Sequence, residues 1–387
     1  MKSILFCCYG FGIGGIEKCL INLLNAIDTS KYEIDVLPMN PEYDLLGSLH
    51  ADVNLLDPFD YVMNTTDTVT YLKQTKAGVS QYLNYCAFRV VNKWGKKPWK
   101  LFSAPKKEYD IAIEYAHTGY VPYYVIDCVK AKRKYMWHHE GRYVKDSHYI
   151  LDKEYYPQFT NIVAVSRDDK KVLDEVFPDI HAKTIVLYNV IDKNEIRTKA
   201  MEPIQMEPYS GLKLVTVGRL SKQKGPNLLI DVAAKLKRDN VDFKWYWVGA
   251  GDLSSWMKEQ VIEKHLEENV ILLGNKKNPY PYVKMADIYV QPSYYEAFCT
   301  TTIEAQILEK PIVVTDVCGM REQFIPEEEC IMIPIDSDAI YTSIKALINN
   351  PELKNRLSYA LHCKMLKDDG ILQTYYNLFD EIKRDNI

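Results

Sequence analysis

Three observations predict an α/β fold built as two doubly wound parallel-sheet domains. The chain has 387 residues, beyond the size at which one hydrophobic core keeps growing, so two domains are expected. Short apolar runs of strand length alternate with longer segments of helical periodicity, the mark of parallel sheets covered by helices. That alternation stops once, between Lys199 and Gly211, and then starts again.

The first series places strands at Ser3–Tyr9, Glu33–Met39, Asp110–Ala116, Lys134–His138, Asn161–Val165 and Thr184–Tyr188. Of the helices between them, the clearest covers Gly15–Ile27, where Ile16, Leu20, Leu23 and Leu24 form one apolar stripe. Glu202-Pro203, Glu207-Pro208 and Ser210-Gly211 then supply turn chemistry, and this stretch is read as the interdomain linker. The second series places strands at Leu212–Val217, Phe243–Val248, Val270–Leu273, Ile288–Gln291, Pro311–Thr315 and Ile331–Ile333. From Asp338 onward the chain reads as helical, with Pro351 opening one helix and Gly370 separating it from the last. The expected domains are 1–200, 201–370 and a terminal helix at 371–387. Two such sheets facing each other would bring their carboxyl-end loops into one interdomain cleft, where the active site is expected.

Composition narrows the classes. With 47% hydrophobic and 26% charged residues, the chain reads as globular, and its net charge of −4 gives no reason to expect a nucleic-acid partner. The apolar start Ile4–Cys8 runs straight into a glycine-rich turn without a cleavage-site pattern, so it reads as a buried strand and not a leader. No run of about eighteen apolar residues occurs. Nine cysteines, scattered without a C-x-x-C pair, argue against a disulfide framework or a zinc site and fit a reducing cytoplasm.

The most informative segment runs from Gln291 to Ala305, through Pro292-Ser293-Tyr294-Tyr295-Glu296-Ala297-Phe298-Cys299-Thr300 to Glu304. It reads as strand, tight loop, then helix. Free amides around Phe298, Cys299, Thr300 and Thr301, with the positive end of the helix dipole, make a seat for phosphate oxygens. Glu304 lies four residues past Thr300 and projects on the same face about 6 Å further along, placed for a ribose. Glu296 precedes the helix, on the sugar side. The competing reading makes Glu304 a solvated helix residue and Glu296 a loop charge. A second strand-to-helix passage, Val217-Gly218-Arg219-Leu220-Ser221-Lys222-Gln223-Lys224-Gly225, sets Arg219 and Lys224 at a strand tip. Fixed cations there would stabilise the charge that accumulates on a departing diphosphate. The alternative is an ordinary exposed basic loop.

These segments resemble the retaining glycosyltransferases of glycosyltransferase family 4, which have the GT-B fold of two facing Rossmann-like domains. The likeness rests on Glu296 and Glu304 in an E-x7-E arrangement, the Gly218-Arg219-Leu220 to Lys224-Gly225 run, Val248-Gly249-Ala250-Gly251, and Ala286-Asp287 leading to Pro292-Ser293. Gly14-Gly15-Ile16-Glu17 and Val165-Ser166 fit the same pattern. The resemblance implies that Arg219 and Lys224 bind the donor phosphates, that Glu304 holds the ribose and that Glu296 meets the donor sugar. It implies that Gly14 and Gly15 let the first loop approach the diphosphate and acceptor. A histidine at a strand tip contacts the sugar in that family; in Trp137-His138-His139-Glu140 the offset favours His139, with His138 as competitor. Ala297 and Cys299 stand where many relatives carry glycine. The expected reaction is metal-independent transfer, with retention, of a sugar from a nucleotide sugar, UDP being the expected nucleotide, to a glycan or lipid-linked acceptor. The terminal helix is expected to pack on the N-terminal domain. A nucleotide-sugar epimerase and a non-catalytic sugar-nucleotide-binding subunit are the alternatives. Glycoside hydrolysis by two carboxylates fits less well, because one of them lies beside a phosphate seat.

Gly10-x-Gly12-x-x-Gly15 matches the dinucleotide fingerprint, but the second strand ends at Pro38-Met39-Asn40 without the acid that would hold a ribose. Asp336-Ser337-Asp338 matches a D-x-D metal motif yet opens a helix, so Asp338 or Ser337 is expected as its N-cap, and no metal or other cofactor is expected. Lys73–Lys107 holds nine Lys or Arg and no Asp or Glu, interleaved with Tyr82, Tyr85, Phe88, Trp94, Trp99 and Phe102. This mixture suits an anionic membrane surface at the cytoplasmic face, as in capsule, exopolysaccharide or teichoic-type assembly; the alternatives are a basic cover on the N-terminal domain and a region that steers the anionic donor.

Overall fold

The structure is a computed structural model that describes residues 1–40, 42–56, 79–94, 97–116, 119–145, 148–367 and 370–380. The chain divides into two compact units, Met1–Ile191 with Gly370–Ile387, and Asp192–Asp369. The first is built on β1 (Lys2–Cys8), β2 (Tyr32–Pro38), β3 (Asn54–Leu55), β4 (Tyr109–Glu114), β5 (Ala131–His138), β6 (Asn161–Ala164) and β7 (Thr184–Val186). These form one sheet in the order β3-β2-β1-β4-β5-β6-β7, with every pairing parallel. The second unit is built on β8 (Leu212–Val217), β9 (Phe243–Val248), β10 (Val270–Gly274), β11 (Ile288–Gln291), β12 (Ile312–Thr315) and β13 (Ile331–Ile333). Its sheet runs β10-β9-β8-β11-β12-β13, again all parallel.

The second sheet explains why its strands read as nearly continuous apolar runs. Successive side chains point to opposite faces, and both faces are covered. Leu214, Trp245, Trp247, Val290 and Val313 pack into one core, while Val215, Tyr246, Val248, Tyr289 and Val314 pack into the other. A strand buried on both faces has no polar side to show.

In the first unit, the Gly15–Ala26 helix buries Leu20, Leu23 and Leu24 as its periodicity requires, together with Cys19 and Ile21. The C-terminal helix, Ile371–Asp380, belongs to this unit. Tyr375 and Phe379 are buried, Tyr375 donates to the Tyr188 carbonyl (3.1 Å) and stacks near Trp137 (6.1 Å), and Asp380 pairs with Lys2 (2.7 Å).

The irregular stretch expected as the linker lies inside the second unit. The boundary falls earlier, between Ile191 and Asp192. Asp192 caps a short helix, Lys193–Lys199, that packs with the second unit's own helices. Asn278 then holds the Lys199 carbonyl and Glu202 (2.8 and 2.7 Å), and Ile204 and Met206 pack against the core. Proline and glycine mark irregular backbone here, and the irregular backbone crosses an edge of one unit.

Candidate active site

In the second unit β8 and β11 are neighbours, yet the chain leaves them in opposite directions, β8 toward β9 and β11 toward β12. At such a switch point the loops splay apart and leave a crevice at the carboxyl ends of the strands, where open α/β sheets bind ligands. Both informative segments begin there. The loop after β8 and the loop after β11 are fastened together: the Tyr294 amide donates to the Gln223 carbonyl (2.7 Å) and the Gln223 side-chain amide donates to the Tyr295 carbonyl (3.0 Å). Gly225 is required at the crossing. Its φ of +66° is left-handed, and a Cβ there would stand 1.9 Å from the Pro292 carbonyl oxygen.

This fastening sets Lys224 beside Glu296, with Nζ to Oε1 at 2.6 Å and side chains only 15% and 5% exposed. Burial pulls the Lys224 ammonium down, but the Glu296 carboxylate, with the Cys299 thiol nearby, outweighs it and holds the lysine above its ordinary value. Ser293 donates a second hydrogen bond to the same Oε1 (2.6 Å). The other oxygen, Oε2, has no partner among the described residues. Arg219 is close enough to act on the Lys224 charge, is itself exposed, and pairs with no acid among the described residues. An exposed guanidinium without an acid beside a charged lysine is a place for an anion.

The helix that follows, Thr300–Ile307, starts without a side-chain cap at Cys299. The Cys299 thiol engages the Thr302 amide, and a helix start of this kind offers the amides ahead of it to a ligand. The loop before it is backed by β12's own loop: Gly319, at φ +78°, approaches Ala297 so closely that a Cβ would lie 2.4 Å from its carbonyl oxygen, and Gln323 donates to the Cys299 carbonyl (3.2 Å). Glu304, one turn along the helix, is buried, and Tyr280 donates to its Oε1 (3.3 Å). The solvated-helix reading of Glu304 is thereby replaced. Burial pushes the Tyr289 phenol up, and the Glu304 and Glu296 carboxylates near it push the same way.

In the first unit the corresponding switch point lies between β1 and β4. Gly14 is the N-cap of the Gly15–Ala26 helix, in extended backbone and without a side-chain cap. The two histidines at the end of β5 separate clearly. His138 is fully buried and its Nδ1 lies 2.6 Å from Asp169, which also accepts from the Gly141 amide (3.0 Å). Burial opposes its charge, but Asp169 outweighs burial and raises it. His139 is partly exposed, lies against the Tyr115 ring (4.9 Å between centroids), and its Nε2 has no hydrogen-bond partner among the described residues. Burial of its ring nitrogens pushes the imidazole down to about 3.

Comparison with known proteins bears on the second unit directly. Residues 202–361 match the family described as Glycosyl transferases group 1. An uncharacterized glycosyltransferase of Methanocaldococcus jannaschii is 30% identical over 194 residues, 49% of this chain and 47% of that protein. An N-acetylgalactosamine-N,N'-diacetylbacillosaminyl-diphospho-undecaprenol 4-alpha-N-acetylgalactosaminyltransferase of Campylobacter jejuni is 31% identical over 201 residues, 51% of this chain and 53% of that one. The chain thus spans about half the length of these curated relatives. Among solved structures, Anabaena HepE in complex with UDP and glucose superposes with a TM-score of 0.72 at 16% identity, covering 99% of this chain and 100% of that one. The fold is the GT-B fold, two Rossmann-like parallel-sheet domains.

The group 1 segment contains every second-unit candidate: Arg219, Lys224, Glu296, Phe298, Cys299, Thr300 and Glu304. It also contains three contributors to which the sequence assigned no role: Ser293 and Gln291, behind Glu296, and Tyr280, against Glu304. Tyr280 carries no signal along the chain, because a separate short helix brings it there. Asp336, and neither Ser337 nor Asp338, caps the Ser337–Asn349 helix: its backbone is extended and its carboxylate accepts from the Ala339 amide (2.9 Å). Asp338 instead pairs with Lys235 (2.7 Å). In the first unit an acid does reach the glycine-rich loop, since Glu42, beyond β2, sets its carboxylate 2.5 Å from where a Gly12 Cβ would stand.

Proposed function

We propose that the chain is a glycosyltransferase that moves a sugar from a nucleotide sugar, with UDP as the nucleotide, to a glycan or lipid-linked acceptor in cell-surface polysaccharide synthesis. The observation that carries this reading is the unpartnered Arg219 beside the Lys224–Glu296 pair and an uncapped helix start, all at the β8/β11 switch point. As the sugar leaves, charge builds on the diphosphate, and pre-placed cations and amides stabilise it without rearranging. Arg219, Lys224 and the amides of Phe298, Cys299 and Thr300 take that part, and they supply the neutralisation without a metal ion. Glu304 takes the ribose. Glu296, anchored through Oε1, offers Oε2 to the sugar. Gly14, Gly15 and His139 serve the acceptor side in the first unit. The acceptor hydroxyl attacks from the face the diphosphate leaves, so configuration is retained.

A lipid-linked acceptor is favoured by two features. The Campylobacter relative is named for a diphospho-undecaprenol-linked acceptor. The first unit also carries exposed Leu83, Val90 and Trp94 along and just beyond the Val79–Lys93 helix, next to Arg89 and Lys93. Such a face suits peripheral contact with an anionic bilayer at its cytoplasmic side. Part of the predicted basic segment, including Lys73, Lys76 and Lys96, lies outside the described residues. Lys97 and Lys100 are engaged by Glu154 (2.9 Å) and Asp127 (3.4 Å), so the exposed Lys93 carries the reading. Among the described residues no helix is long and apolar enough to cross a membrane.

The test is a thermal-shift screen of the purified chain across nucleotide sugars, followed by product analysis with and without saccharide acceptors. Stabilisation by UDP-sugars and acceptor-dependent product support the reading. Product formed from donor alone would mark an epimerase, and binding without any turnover would mark a non-catalytic subunit.

A further inference from the structure

Behind Glu296 lies a chain of buried polar groups that begins deep in the core. Tyr289, Gln291 and Ser293 are each fully buried. They occupy alternate positions along and just beyond β11, so their side chains leave the same face of the sheet. The Tyr289 hydroxyl donates to Gln291 Oε1 (2.7 Å), the Gln291 amide nitrogen donates to Ser293 Oγ (3.0 Å), and Ser293 Oγ donates to Glu296 Oε1 (2.6 Å).

The direction of this relay is forced. A serine hydroxyl has one proton, and a carboxylate accepts only. Gln291 presents its NH2 to Ser293 because its oxygen already receives Tyr289, with the Thr301 hydroxyl also within reach at 3.4 Å. Ser293 must therefore spend its proton on Glu296. The serine backbone is held as well, since Thr315 donates to the Ser293 carbonyl (2.5 Å). Lys224 bonds the same carboxylate oxygen, but it is the end of a flexible chain, whereas the relay is rooted in packed core. With Oε1 receiving two donors, the carboxylate cannot turn about its last bond without losing one of them.

We infer that Ser293 is a positioning residue for Glu296, with Gln291 and Tyr289 fixing the direction of its hydrogen bond. The inference rests on the proposed role of Glu296 toward the donor sugar, and it makes a claim that stands without any donor. In the free chain, Ser293 sets where the carboxylate sits. In the loaded chain, that position matters to the sugar and not to the nucleotide.

Two measurements decide it. Crystal structures of ligand-free Ser293→Ala and Ser293→Thr should show the Glu296 carboxylate turned away in the first and retained in the second, because threonine keeps the hydroxyl. A carboxylate that stays in place in Ser293→Ala overturns the inference. Calorimetry with UDP and UDP-glucose should show Ser293→Ala binding UDP as the unaltered chain does, but UDP-glucose about tenfold more weakly, the worth of one hydrogen bond to a charged group. Ser293→Thr should recover it. Equal losses for both probes, or no recovery with threonine, would mark Ser293 as structural only and overturn the inference. An unaltered chain that binds neither probe would count against the donor reading, while the crystallographic comparison would still decide the role of Ser293.

Discussion

Arg219 and Lys224 carry the same charge to the same crevice, but the structure predicts that their removal has different consequences. Lys224 and Glu296 are buried against each other. Lys224→Ala leaves the Glu296 carboxylate in place with Ser293 as its remaining partner. Breaking one side of a buried pair costs about 3–5 kcal/mol, and the residual exposure of Lys224 puts the expectation near the lower figure. For a unit of this size a loss of about 3 kcal/mol lowers Tm by roughly 6–12 °C. Arg219 is exposed and holds nothing, so Arg219→Ala should change stability by no more than about 0.5 kcal/mol. Its effect belongs to binding: one charge-assisted contact to a diphosphate is worth about 1.5–3 kcal/mol, or about tenfold to just over a hundredfold in Kd for UDP. Urea melts and UDP calorimetry on both variants separate the two. The double variant Lys224→Met/Glu296→Gln, which removes both charges and keeps volume, should recover most of the lost stability. Should Lys224→Ala melt like the unaltered chain, or Arg219→Ala lose stability and keep its affinity, the burial argument fails.

Four further outcomes follow. Burial holds His139 down at about 3, against about 6.5 in the unfolded chain, so the unfolded state binds the extra proton between those values. Its contribution is level above pH 6.5 and is lost as pH falls toward 3, with a slope of up to about 1.4 kcal/mol per pH unit; unfolding curves of His139→Gln across that range should be flatter, and an unchanged slope would contradict it. Gly225→Ala should destabilise the second unit by about 2 kcal/mol or more, since it combines left-handed backbone with a clash at Pro292; a neutral result in a urea melt would contradict the crossing geometry. On the proposal that fixed cations and amides take the part of a metal, exhaustive treatment with EDTA should leave UDP affinity within about twofold; a larger loss in calorimetry would contradict the metal-free reading. Reversing Lys93 to Glu should reduce sedimentation with phosphatidylglycerol vesicles more than reversing either Lys97 or Lys100, which are already paired; equal effects would reject the assigned face.

Strands buried on both faces were legible along the chain because apolar residues dominate them, with Lys213 and Lys244 confined to the second position of their strands. Leu212–Val217, Phe243–Val248, Ile288–Gln291 and Ile331–Ile333 end where the apolar runs end. Asn54–Leu55, two exposed residues at a sheet edge, has no pattern to read. Turn-forming residues reported irregular backbone at 199–211 and could not report which unit it serves, since that depends on contacts such as Asn278 with Lys199. At the site, helix starts and strand tips placed Arg219, Lys224, Glu296 and Glu304 in advance. Their couplings were not visible. Lys224 meets Glu296 only because Gly225 and Pro292 cross, and Glu304 is covered by a tyrosine from another helix. The difference between His138 and His139 was not visible either, since Asp169 stands beside His138 only in three dimensions.

The central claim is that the second unit seats a diphosphate between Arg219, Lys224 and the start of the Thr300–Ile307 helix. A crystal structure of the chain soaked with UDP tests it most directly. The account predicts phosphate oxygens within hydrogen-bond distance of Arg219, Lys224 and the amides near Cys299 and Thr300, with the ribose hydroxyls at Glu304. UDP bound anywhere else on the chain, with these groups untouched, would contradict it.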